Sequence, residues 1–433
     1  MADQTDTADV VVVGAGVAGV TAARELVQAG FSVVVVEARD RIGGRVHSIR
    51  DFATSPVEAG AEFVHGERAT TWPELRAAGL TTRACPLRRH TMLSLSGRTR
   101  WLPWVLLHPG CWPAFDILRS ISHFKAPDSS AEDFLRQKGY RGRARTLAEM
   151  ALTAHLPGSA EEIGMLGLLE DGILRLETGR NFRVTEGYDR LPTFIAQNLD
   201  IRLGFRVDEI RWEQRSVSVR SVDGRQLCGK AAVCTLPIGV LKSDAVQFTP
   251  ALPESKQSAL AALEMGAVLK ILLHFDLGFW PRKLALLACG SGPITLYWPA
   301  FYGVSEAYPV LVAYATGPRA ARLSGISDEE ALAIVLADLH RLFPKVDVAR
   351  HLVAHRRVDW TRDPFAGGGY SLVRPGGVGA RDRLAAADTG ALLWAGSGTC
   401  SHPIAETVEA AFLSGRRAAV EITARLTRAP GSS

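Results

Sequence analysis

The sequence contains little cysteine and little net charge, and each shortage excludes a class of protein. Its six cysteines among 433 residues form no C-x-x-C pair and no zinc-like spacing, so neither a disulfide scaffold nor a metal site is predicted. Free thiols are typical of a reducing compartment, so we expect a cytoplasmic protein. The net charge of +5 is too small to indicate a nucleic-acid-binding protein.

We also expect neither a targeting signal nor a membrane-spanning segment. The first eight residues are polar and contain two aspartates, unlike the start of a secretory signal. No stretch of about 18 uncharged apolar residues occurs, so no transmembrane segment is expected. The C-terminal residues resemble neither a lipid anchor nor a peroxisomal signal. We find no repeat and no low-complexity linker, and therefore expect domains that are interleaved in the chain.

The composition is that of a large globular protein. Hydrophobic residues make up 47% of the chain and charged residues 22%, which excludes global disorder. At roughly 100–200 residues per domain, the length predicts two to four domains or two large interleaved ones.

The N-terminal region has the pattern of a dinucleotide-binding unit. The four valines of Val10–Val13 predict a strand that is buried on both faces. A helical pattern from Val17 to Ala29, with Gly30 as its C-cap, leads to a second buried strand at Val33–Val36. Between the first strand and the helix lies a G-x-G-x-x-G motif, composed of Gly14, Ala15, Gly16, Val17, Ala18 and Gly19.

Each conspicuous residue of this unit has a physical role. Gly14 permits the tight turn, Gly16 lets a pyrophosphate approach the backbone, and Gly19 lets the helix pack close to the strand. The helix N-terminus offers free N–H groups to the phosphates. Glu37 lies 18 residues after Gly19, where its carboxylate can accept hydrogen bonds from a ribose. Together these features predict a dinucleotide site.

The segment after the second strand suggests which dinucleotide is bound. It consists of Ala38, Arg39, Asp40, Arg41, Ile42, Gly43, Gly44 and Arg45, and it resembles the RxGGR extension of the flavin amine oxidase superfamily. The resemblance implies that the cofactor is FAD. It also implies that Gly44 and Arg45 lie along the FAD pyrophosphate and flavin, with Ala38, Arg39 and Gly43 in the same site.

A second segment strengthens the resemblance. The family has an acid followed by G-A-x-W-[IV]-H-G, and this chain has Glu58, then Gly60, Ala61, Glu62, Phe63, Val64, His65 and Gly66. By resemblance, the loop formed by Gly60, Ala61, Glu62 and Phe63 passes against the flavin. His65 matches a substrate-channel histidine of polyamine oxidases, although a loop histidine with a structural role is the alternative. L-Amino-acid oxidases carry an arginine at the position of Phe63, which argues against an amino-acid substrate.

Lys270 is the candidate catalytic residue. It lies in the apolar run 267–273, where burial of an ammonium is costly unless a partner is present or the proton is lost. The chain has only eight lysines against 42 arginines, so this position is unlikely to be occupied by lysine by chance. The alternative is an edge-strand lysine whose ammonium reaches water. The position matches the family's active-site lysine, which holds a water against flavin N5.

The later blocks of the sequence add cofactor and substrate candidates by resemblance. Val207 would meet the adenine through its backbone, and Trp360 would lie beside the flavin. Tyr370 would wall the amine site, where an aromatic face favours a polarised nitrogen. Monoamine oxidases have a flavin-linked cysteine at the position of Gly369. Because this chain has no thiol there, we expect FAD to be bound non-covalently.

The C-terminal block resembles F-A-G-E-x-T followed by T-V-x-G-A-x-x-S-G. Gly396 would meet the FAD phosphate or ribityl chain through its backbone. Thr407 and Val408 would lie at the flavin's pyrimidine end, at the N-terminus of the last helix, with Thr407 also near substrate. Ser397 stands where the family has glutamate, which removes an acceptor for the ribityl chain.

The rest of the chain predicts further elements. The pattern of residues 130–176 predicts helices, and that of residues 200–236 predicts strands. Within the second range we expect a hairpin that turns at Asp223–Gly224 and an apolar strand at Ala231–Leu236. A capping box at Ser327 opens a helix that Pro344 ends. We expect a strand at Leu392–Ala395, a helix at Glu406–Leu426, and core packing for the Trp101–Trp112 stretch, with a channel wall or membrane contact as alternatives.

The expected fold class is α/β. The resemblance implies a Rossmann-like FAD-binding domain interleaved with an α+β substrate-binding domain, in a two-domain topology like that of p-hydroxybenzoate hydroxylase. The predicted FAD-binding segments are 1–75, 183–260 and 381–433. The predicted substrate-domain segments are 76–182 and 261–380.

The resemblance implies an FAD-dependent amine oxidase. A hydride from the carbon bearing the nitrogen would pass to flavin N5, the imine would be hydrolysed, and oxygen would reoxidise the flavin to give hydrogen peroxide. His65 favours a polyamine or secondary amine, and Glu62, Glu170 and Asp171 are candidates for attracting a cationic substrate. The alternatives are an L-amino-acid oxidase or desaturase, a flavin-binding interaction protein with little turnover, or a demethylase acting on a protein lysine. The specific amine and the oligomeric state stay open.

Overall fold

The computed structural model describes residues 6–86, 90–95, 97–125, 127–172, 180–304, 309–401 and 404–427. Its strands are β1 (Asp6–Val13), β2 (Val33–Val36), β3 (Ser48–Ile49), β4 (Val57–Glu58), β5 (Val64–His65), β6 (Thr82–Cys85), β7 (Thr91–Leu95), β8 (Arg98–Trp101), β9 (Asn181–Val184), β10 (Asp200–Arg202), β11 (Val207–Trp212), β12 (Val217–Ser221), β13 (Gln226–Cys234), β14 (Gln247–Thr249), β15 (Leu263–Gly266), β16 (Val268–Phe275), β17 (Leu286–Cys289), β18 (Leu296–Pro299), β19 (Val310–Thr316), β20 (Leu352–Asp359), β21 (Tyr370–Val373) and β22 (Leu392–Trp394).

Fourteen α-helices occur within these ranges. They are α1 (Val17–Gln28), α2 (Trp72–Ala77), α3 (Leu102–Leu106), α4 (Ile117–Ser122), α5 (Ala131–Lys138), α6 (Gly142–Thr153), α7 (Met165–Glu170), α8 (Arg190–Ile195), α9 (Ile238–Leu241), α10 (Glu254–Ala262), α11 (Gly317–Ser324), α12 (Asp328–Leu342), α13 (Ala380–Ala385) and α14 (Val408–Thr427). Short 3₁₀ turns cover Pro109–Ala114, Ala349–His351 and Ser397–Thr399.

The first sheet is the predicted dinucleotide-binding sheet. Its order is β10-β2-β1-β13-β12-β11-β14, with β22 also paired to β13. Strands β10, β2, β1, β13 and β22 are parallel, and β11 to β13 form an antiparallel meander. The valines of β1 and β2 are buried on both faces, as an apolar run without alternation predicts. Helices α1 and α14 share one apolar core against this sheet.

The second sheet forms a wall of the site. Its order is β20-β16-β19-β18-β17-β7-β8, and β7 pairs parallel to β17 while the other pairs are antiparallel. Helix α12 lies over one face, where Val335, Leu339 and Leu342 join the core. The capping box predicted for this helix is present, with Ser327 and Glu330 as its two members.

Strand membership follows the interleaved pattern expected from the sequence. The first sheet takes its strands from residues 6–36, 200–249 and 392–394, and the second takes its strands from 91–101 and 268–359. The α/β fold class is confirmed. The five predicted domain segments stay a prediction.

Several local predictions differ from the structure. The hairpin turn is present, with Gly224 at φ 88°, but its return strand and the strand predicted at Ala231–Leu236 are one continuous strand, β13. The last helix starts at Val408 rather than Glu406 because Glu406 has φ 55°, outside the helical region. Helices occupy most of the range predicted as helical, and residues 173–176 of that range lie outside the described residues.

The expectation of core packing for the Trp101–Trp112 stretch is wrong for Trp104, Leu107 and Trp112. Trp104 is 64% exposed, Leu107 66% and Trp112 56%, because α3 and the following 3₁₀ turn bury only their smaller residues, including Val105 and Cys111. In the part of the chain that the structure describes, no helix is long and apolar enough to cross a membrane.

Candidate functional site

A cavity of about 400 Å³ lies between the two sheets, within the range of ligand pockets. Every predicted site residue except Ala15 and Gly19 lines it. These residues are Gly14, Gly16, Val17, Ala18, Glu37, Ala38, Arg39, Gly43, Gly44, Arg45, Gly60, Ala61, Glu62, Phe63, His65, Val207, Lys270, Trp360, Tyr370, Gly396, Ser397, Thr407 and Val408. Residues separated by up to 394 positions in the sequence are therefore brought to one space.

The glycines of the first turn differ in what surrounds them. Gly14 has φ 103°, which favours glycine, and a Cβ there would approach Thr235 Oγ1 to 2.4 Å. A Cβ on Gly19 would lie 1.9 Å from the Gly14 carbonyl oxygen, so Gly19 sets the close packing of α1 on the turn. No protein atom lies within 4 Å of the Cβ position of Gly16, which lines the cavity.

These observations fit a dinucleotide. The space beside Gly16 is where a side chain would obstruct a ligand. Helix α1 has no side-chain cap and no acidic residue in its first turn, so its N–H groups stay available to an anion. Ala15 and Gly19 lie behind the cavity wall, where Gly43 N–H donates to Ala15 O over 2.9 Å. Their role is to shape the turn.

The acid at the end of β2 lies where the motif predicts. Glu37 lines the cavity, and its two carboxylate oxygens accept from Ala15 N–H at 2.8 Å and Arg39 N–H at 2.9 Å. Arg39 in turn pairs with Asp363 at 2.6 Å. Val207 begins β11 at the same end of the cavity. A carboxylate in this position suits the ribose diol of a dinucleotide.

Arg45 connects segments that are far apart in sequence. Its Nη1 donates to Gly369 O at 2.6 Å and to Glu406 Oε2 at 3.1 Å, and its Nη2 donates to Ser397 Oγ at 2.8 Å. The Ser397 hydroxyl donates to Glu406 as well. A carboxylate therefore lies beside Ser397, and Glu406, nine residues later, supplies it; the sequence analysis did not name Glu406 as a site residue.

The loop from Glu58 to Phe63 passes between Arg45 and the second sheet. A Cβ on Gly60 would lie 1.8 Å from Arg45 O, so only glycine allows this close approach. Trp360 is buried, and its Nε1–H donates to Ala59 O at 3.0 Å. The loop from Glu58 to Phe63 and the segment around Trp360, both predicted to lie beside the flavin, are thus in contact.

Lys270 is buried and lines the cavity. Its Nζ donates to Glu58 O at 3.0 Å, to Gly60 O at 2.8 Å and to Glu62 Oε2 at 3.1 Å. An ammonium has three N–H donors, and all three are used here. The edge-strand alternative is wrong, because β16 lies between β20 and β19.

Glu62 is the buried charge partner of Lys270. Its carboxylate also accepts from Arg183 Nε at 2.7 Å and from Trp298 Nε1 at 3.0 Å. Burial acts to raise the pKa of Glu62, but Arg183 and Lys270 outweigh it and hold that pKa below its usual value. The guanidinium of Arg183 also lies over the Phe63 ring, 4.9 Å from its centre.

His65 is partly buried beside the same loop. Its Nδ1–H donates to Asn181 Oδ1 at 2.9 Å, which leaves Nε2 as an acceptor. Burial lowers the pKa of His65 to about 4, so the imidazole is neutral at neutral pH.

Aromatic side chains form the walls near Lys270. Tyr314 pairs with Lys270 in the β16–β19 register, so the two side chains point to the same face of the sheet. Tyr370 lies 2.9 Å from Tyr314, hydroxyl to hydroxyl, and donates to His155 O. Burial raises the pKa of both phenols, which therefore stay protonated. The Trp298 ring centre lies 5.2 Å from that of Tyr314.

The N-terminus of α14 lies at the cavity as predicted. Thr407 Oγ1 accepts from Ala410 N–H at 3.1 Å and so caps the helix. Val408 follows as its first residue and lines the cavity. The positive end of the helix dipole is thus directed toward this space.

Sequence reasoning missed Arg183, Trp298, Tyr314 and Glu406. Trp298 and Tyr314 lie in apolar strands, where an aromatic residue ordinarily indicates core. Glu406 was assigned to the start of a helix. Only the alternation of β18 and β19 could have indicated that Trp298 and Tyr314 share a face with Lys270.

The carboxylates suggested for attracting a cationic substrate are already engaged. Glu62 pairs with Lys270 and Arg183, Asp171 pairs with Arg381 at 2.6 Å, and Glu170 accepts from Gly379 N–H at 2.9 Å. Each contributes to internal contacts.

Comparisons with known proteins agree with this geometry. The family described as flavin containing amine oxidoreductase matches residues 17–423. Polyamine oxidase 4 of Oryza sativa subsp. japonica is 30% identical, over 98% of this chain and 90% of the relative. Lysine-specific histone demethylase 1B of Mus musculus is 28% identical, over 96% of this chain and 53% of the relative.

Solved structures share the fold. A putrescine oxidase double mutant superposes with a TM-score of 0.84 at 21% identity, covering 97% of this chain and 100% of the other. Cyclohexylamine oxidase from Brevibacterium oxydans gives a TM-score of 0.83 at 22% identity, with the same coverage. The comparisons do not favour an amino-acid oxidase, a desaturase or a low-turnover flavin-binding protein. The chain belongs to the flavin-containing amine oxidoreductase family and is an enzyme that oxidises amines with FAD.

Proposed function

We propose that the enzyme oxidises a polyamine or secondary amine and passes the electrons to oxygen, which yields hydrogen peroxide. The observation that carries the proposal is the buried Lys270 ammonium beside an aromatic-walled cavity whose other end fits a dinucleotide. Relatives at about 30% identity are named polyamine oxidases, which supports the substrate class.

FAD would be held by the residues of the first sheet and of the segments that flank it. The α1 N-terminus and Gly16 would take the pyrophosphate, Glu37 the ribose, and Arg45, Trp360 and Val408 the flavin end. Bound there, FAD would supply the hydride acceptor for oxidation of the carbon that bears the amine nitrogen.

The substrate end of the cavity would select a neutral amine. An alkylamine has a pKa near about 10, and its lone pair is blocked while it is protonated. Walls made by Trp298, Tyr314 and Tyr370 disfavour the charged form by desolvation. The neutral His65 can accept an amine N–H at Nε2, which would orient the nitrogen without adding a charge.

Lys270 would act from a fixed position. Its three donors are held by two backbone carbonyls and Glu62, so a water can be held only if one of these contacts is exchanged. Gly60, Glu62 and Lys270 all line the cavity, so a water that replaced one of these contacts would bind the ammonium at the cavity wall. Such a water is also the reactant that hydrolyses the imine product to a carbonyl compound and a smaller amine.

The charges at the described substrate end favour a secondary amine over a polyamine. A polyamine brings additional ammonium groups, which require unpaired carboxylates. Glu62 and Asp171 line the cavity, and each is neutralised by an internal cation.

Anaerobic reduction of the flavin by a panel of amines tests the proposal. We expect one amine class among spermine, N-acetylated polyamines, putrescine, benzylamine and N-alkylated amines to bleach the absorbance near about 450 nm. Lys270→Met should slow bleaching by at least about 100-fold. Lys242→Met is the matched control, because Lys242 also binds a carbonyl (2.6 Å) and a glutamate (3.1 Å), yet does not line the cavity.

The outcomes separate the competing functions. Bleaching by L-amino acids alone would establish an amino-acid oxidase. If no amine bleaches the bound flavin, amine oxidation by this chain is refuted. Peroxide formation on admission of air would identify oxygen as the acceptor, and its absence would identify a dehydrogenase.

The cellular setting is a further part of the proposal. We propose a cytoplasmic enzyme acting on a small molecule rather than on nucleic acid. Cys85, Cys111, Cys228, Cys234 and Cys289 are free thiols in the structure, and the net charge is +5.

A further inference from the structure

We propose that Glu406 is a cofactor-positioning residue, whose carboxylate clamps the cavity-lining segments around Arg45, Ser371 and Ser397 into the arrangement that retains FAD. The inference rests on the proposal that this cavity holds FAD. It concerns cofactor retention, which is measured without any amine.

The backbone of Glu406 is held in an unusual conformation. Its φ of 55° makes it one of three non-glycine residues with positive φ in the described ranges, the others being Asn198 and Asp244. Asparagine and aspartate adopt this region readily, whereas glutamate does so at a cost. Such strain persists only where surrounding contacts enforce it, and it is concentrated at functional sites. The strained residue lies directly before Thr407 and the N-terminus of α14.

The side chain shows what enforces the conformation. It is 5% exposed, and its Oε1 accepts from the backbone N–H of Ser371 at 3.0 Å and from the Ser371 hydroxyl. Its Oε2 accepts from Arg45 at 3.1 Å and from the Ser397 hydroxyl. Four segments of the chain are therefore joined by one carboxylate, and the four residues all line the cavity.

The charges show that Arg45 is the cation that depends on Glu406. Arg381 lies 3.7 Å from Glu406, but it is already paired with Asp171 at 2.6 Å. The other acceptors of Arg45 are the neutral Gly369 carbonyl and Ser397 hydroxyl. Burial acts to raise the pKa of Glu406, yet Arg45 and Arg381 together keep it below its usual value. Glu406 is therefore ionised and fixes the Arg45 guanidinium at the cavity wall.

The test measures FAD release from the holoenzyme. Glu406→Gln keeps the size of the side chain but places an amide NH₂ among donors from Arg45, Ser371 and Ser397. We expect its FAD dissociation rate, followed by the rise in flavin fluorescence on dilution into FAD-free buffer, to increase at least about tenfold. Glu209→Gln is the control, because Glu209 is also buried and paired with arginines but does not line the cavity.

A second variant keeps the proposal testable if Glu406→Gln folds poorly. In Glu406→Ala/Ser397→Glu, a carboxylate returns from the position that already touches Arg45 Nη2 at 2.8 Å. We expect this double variant to retain FAD better than Glu406→Ala. The proposal is overturned if Glu406→Gln retains FAD like the unmodified enzyme, if Glu209→Gln releases FAD equally fast, or if the double variant shows no recovery. If the Glu406 variants alter FAD retention but the enzyme oxidises no amine, only the proposed function is refuted and the role of Glu406 stands.

Discussion

At the residue scale, Lys270 shows how strongly a buried charge depends on groups distant in sequence. Its apolar strand predicts burial, and burial requires a partner. The partner is Glu62, which precedes it by 208 residues and also neutralises Arg183. The local pattern of β16 carries no information about where that carboxylate lies.

Removal of the carboxylate at Glu62 should destabilise the enzyme. Glu62→Gln leaves Lys270 and Arg183 buried without a counter-charge, which we expect to cost about 3–5 kcal/mol of unfolding free energy. Chemical denaturation followed by circular dichroism measures this change. Glu264→Gln is a control, because its partners Lys242 and Arg374 are partly exposed and the expected loss is about 0–1 kcal/mol. Equal losses in the two variants would contradict the prediction.

Glu58 should make stability depend on pH. Burial raises the pKa of its carboxyl to about 7 from the usual 4.5. The protonated form is favoured in the folded state, so this contribution is complete below about pH 4.5 and is lost as the pH rises to about 7. The difference corresponds to roughly 3 kcal/mol. We expect Glu58→Gln to flatten the dependence of the melting temperature on pH across this interval, and an unchanged profile would contradict the prediction.

At the scale of elements, the unit β1–α1–β2 follows its sequence closely. The valine runs form the strands, Gly30 at φ 91° follows the helix, and the acid lies at the end of β2. Local steric rules account for this agreement, because Gly14 and Gly30 adopt positive φ in their own turns. The end of α14 nearest the cavity is different, since Glu406 is held out of the helix by contacts with distant residues.

Two glycines of the motif should respond differently to alanine. Gly19→Ala places a Cβ 1.9 Å from the Gly14 carbonyl oxygen, so we expect the free energy of unfolding to fall by about 1–3 kcal/mol. Gly16→Ala meets no protein atom within 4 Å, so the protein should fold normally but release FAD at least about tenfold faster. Thermal unfolding and FAD release, measured for both variants, separate these effects. Normal FAD retention by Gly16→Ala would contradict the proposed pyrophosphate site.

At the scale of the whole molecule, the cavity is lined by residues from Val13 to Ala411. The two sheets supply opposite sides: parallel strands present helix N-termini and glycine turns, while antiparallel strands present Lys270 and the aromatic walls. A dinucleotide in this space would contact most segments of the chain.

FAD should therefore stabilise the molecule as one unit. At a free FAD concentration about 1,000 times Kd, binding adds about 4 kcal/mol to the unfolding free energy. We expect the melting temperature to rise with added FAD, and flavin release and loss of circular dichroism to occur in one coincident transition. Release of FAD well before unfolding would show that its site opens independently of the folded core.

The family and the cofactor could be predicted from the sequence, and nearly all of the predicted site residues line the cavity, because glycine turns, strand runs and the RxGGR-like segment are local signals. Local patterns could not provide the identities of charge partners. In the sequence, Ser397 predicted the loss of an acceptor for the ribityl chain. The carboxylate of Glu406 is brought beside Ser397 only in the folded chain.

The sequence by itself determined the β1–α1–β2 unit and the α/β class, since steric limits and apolar periodicity act over a few residues. The apolar run around Lys270 favoured burial, but the place of β16 between β20 and β19 was needed to exclude an edge-strand lysine. The tertiary structure alone decided that Glu62 neutralises Lys270, that Glu406 holds Arg45, and that Trp298 and Tyr314 wall the cavity. The physical reason is that ion pairing and desolvation depend on distance in space, and these partners are separated by between 28 and 361 positions along the chain.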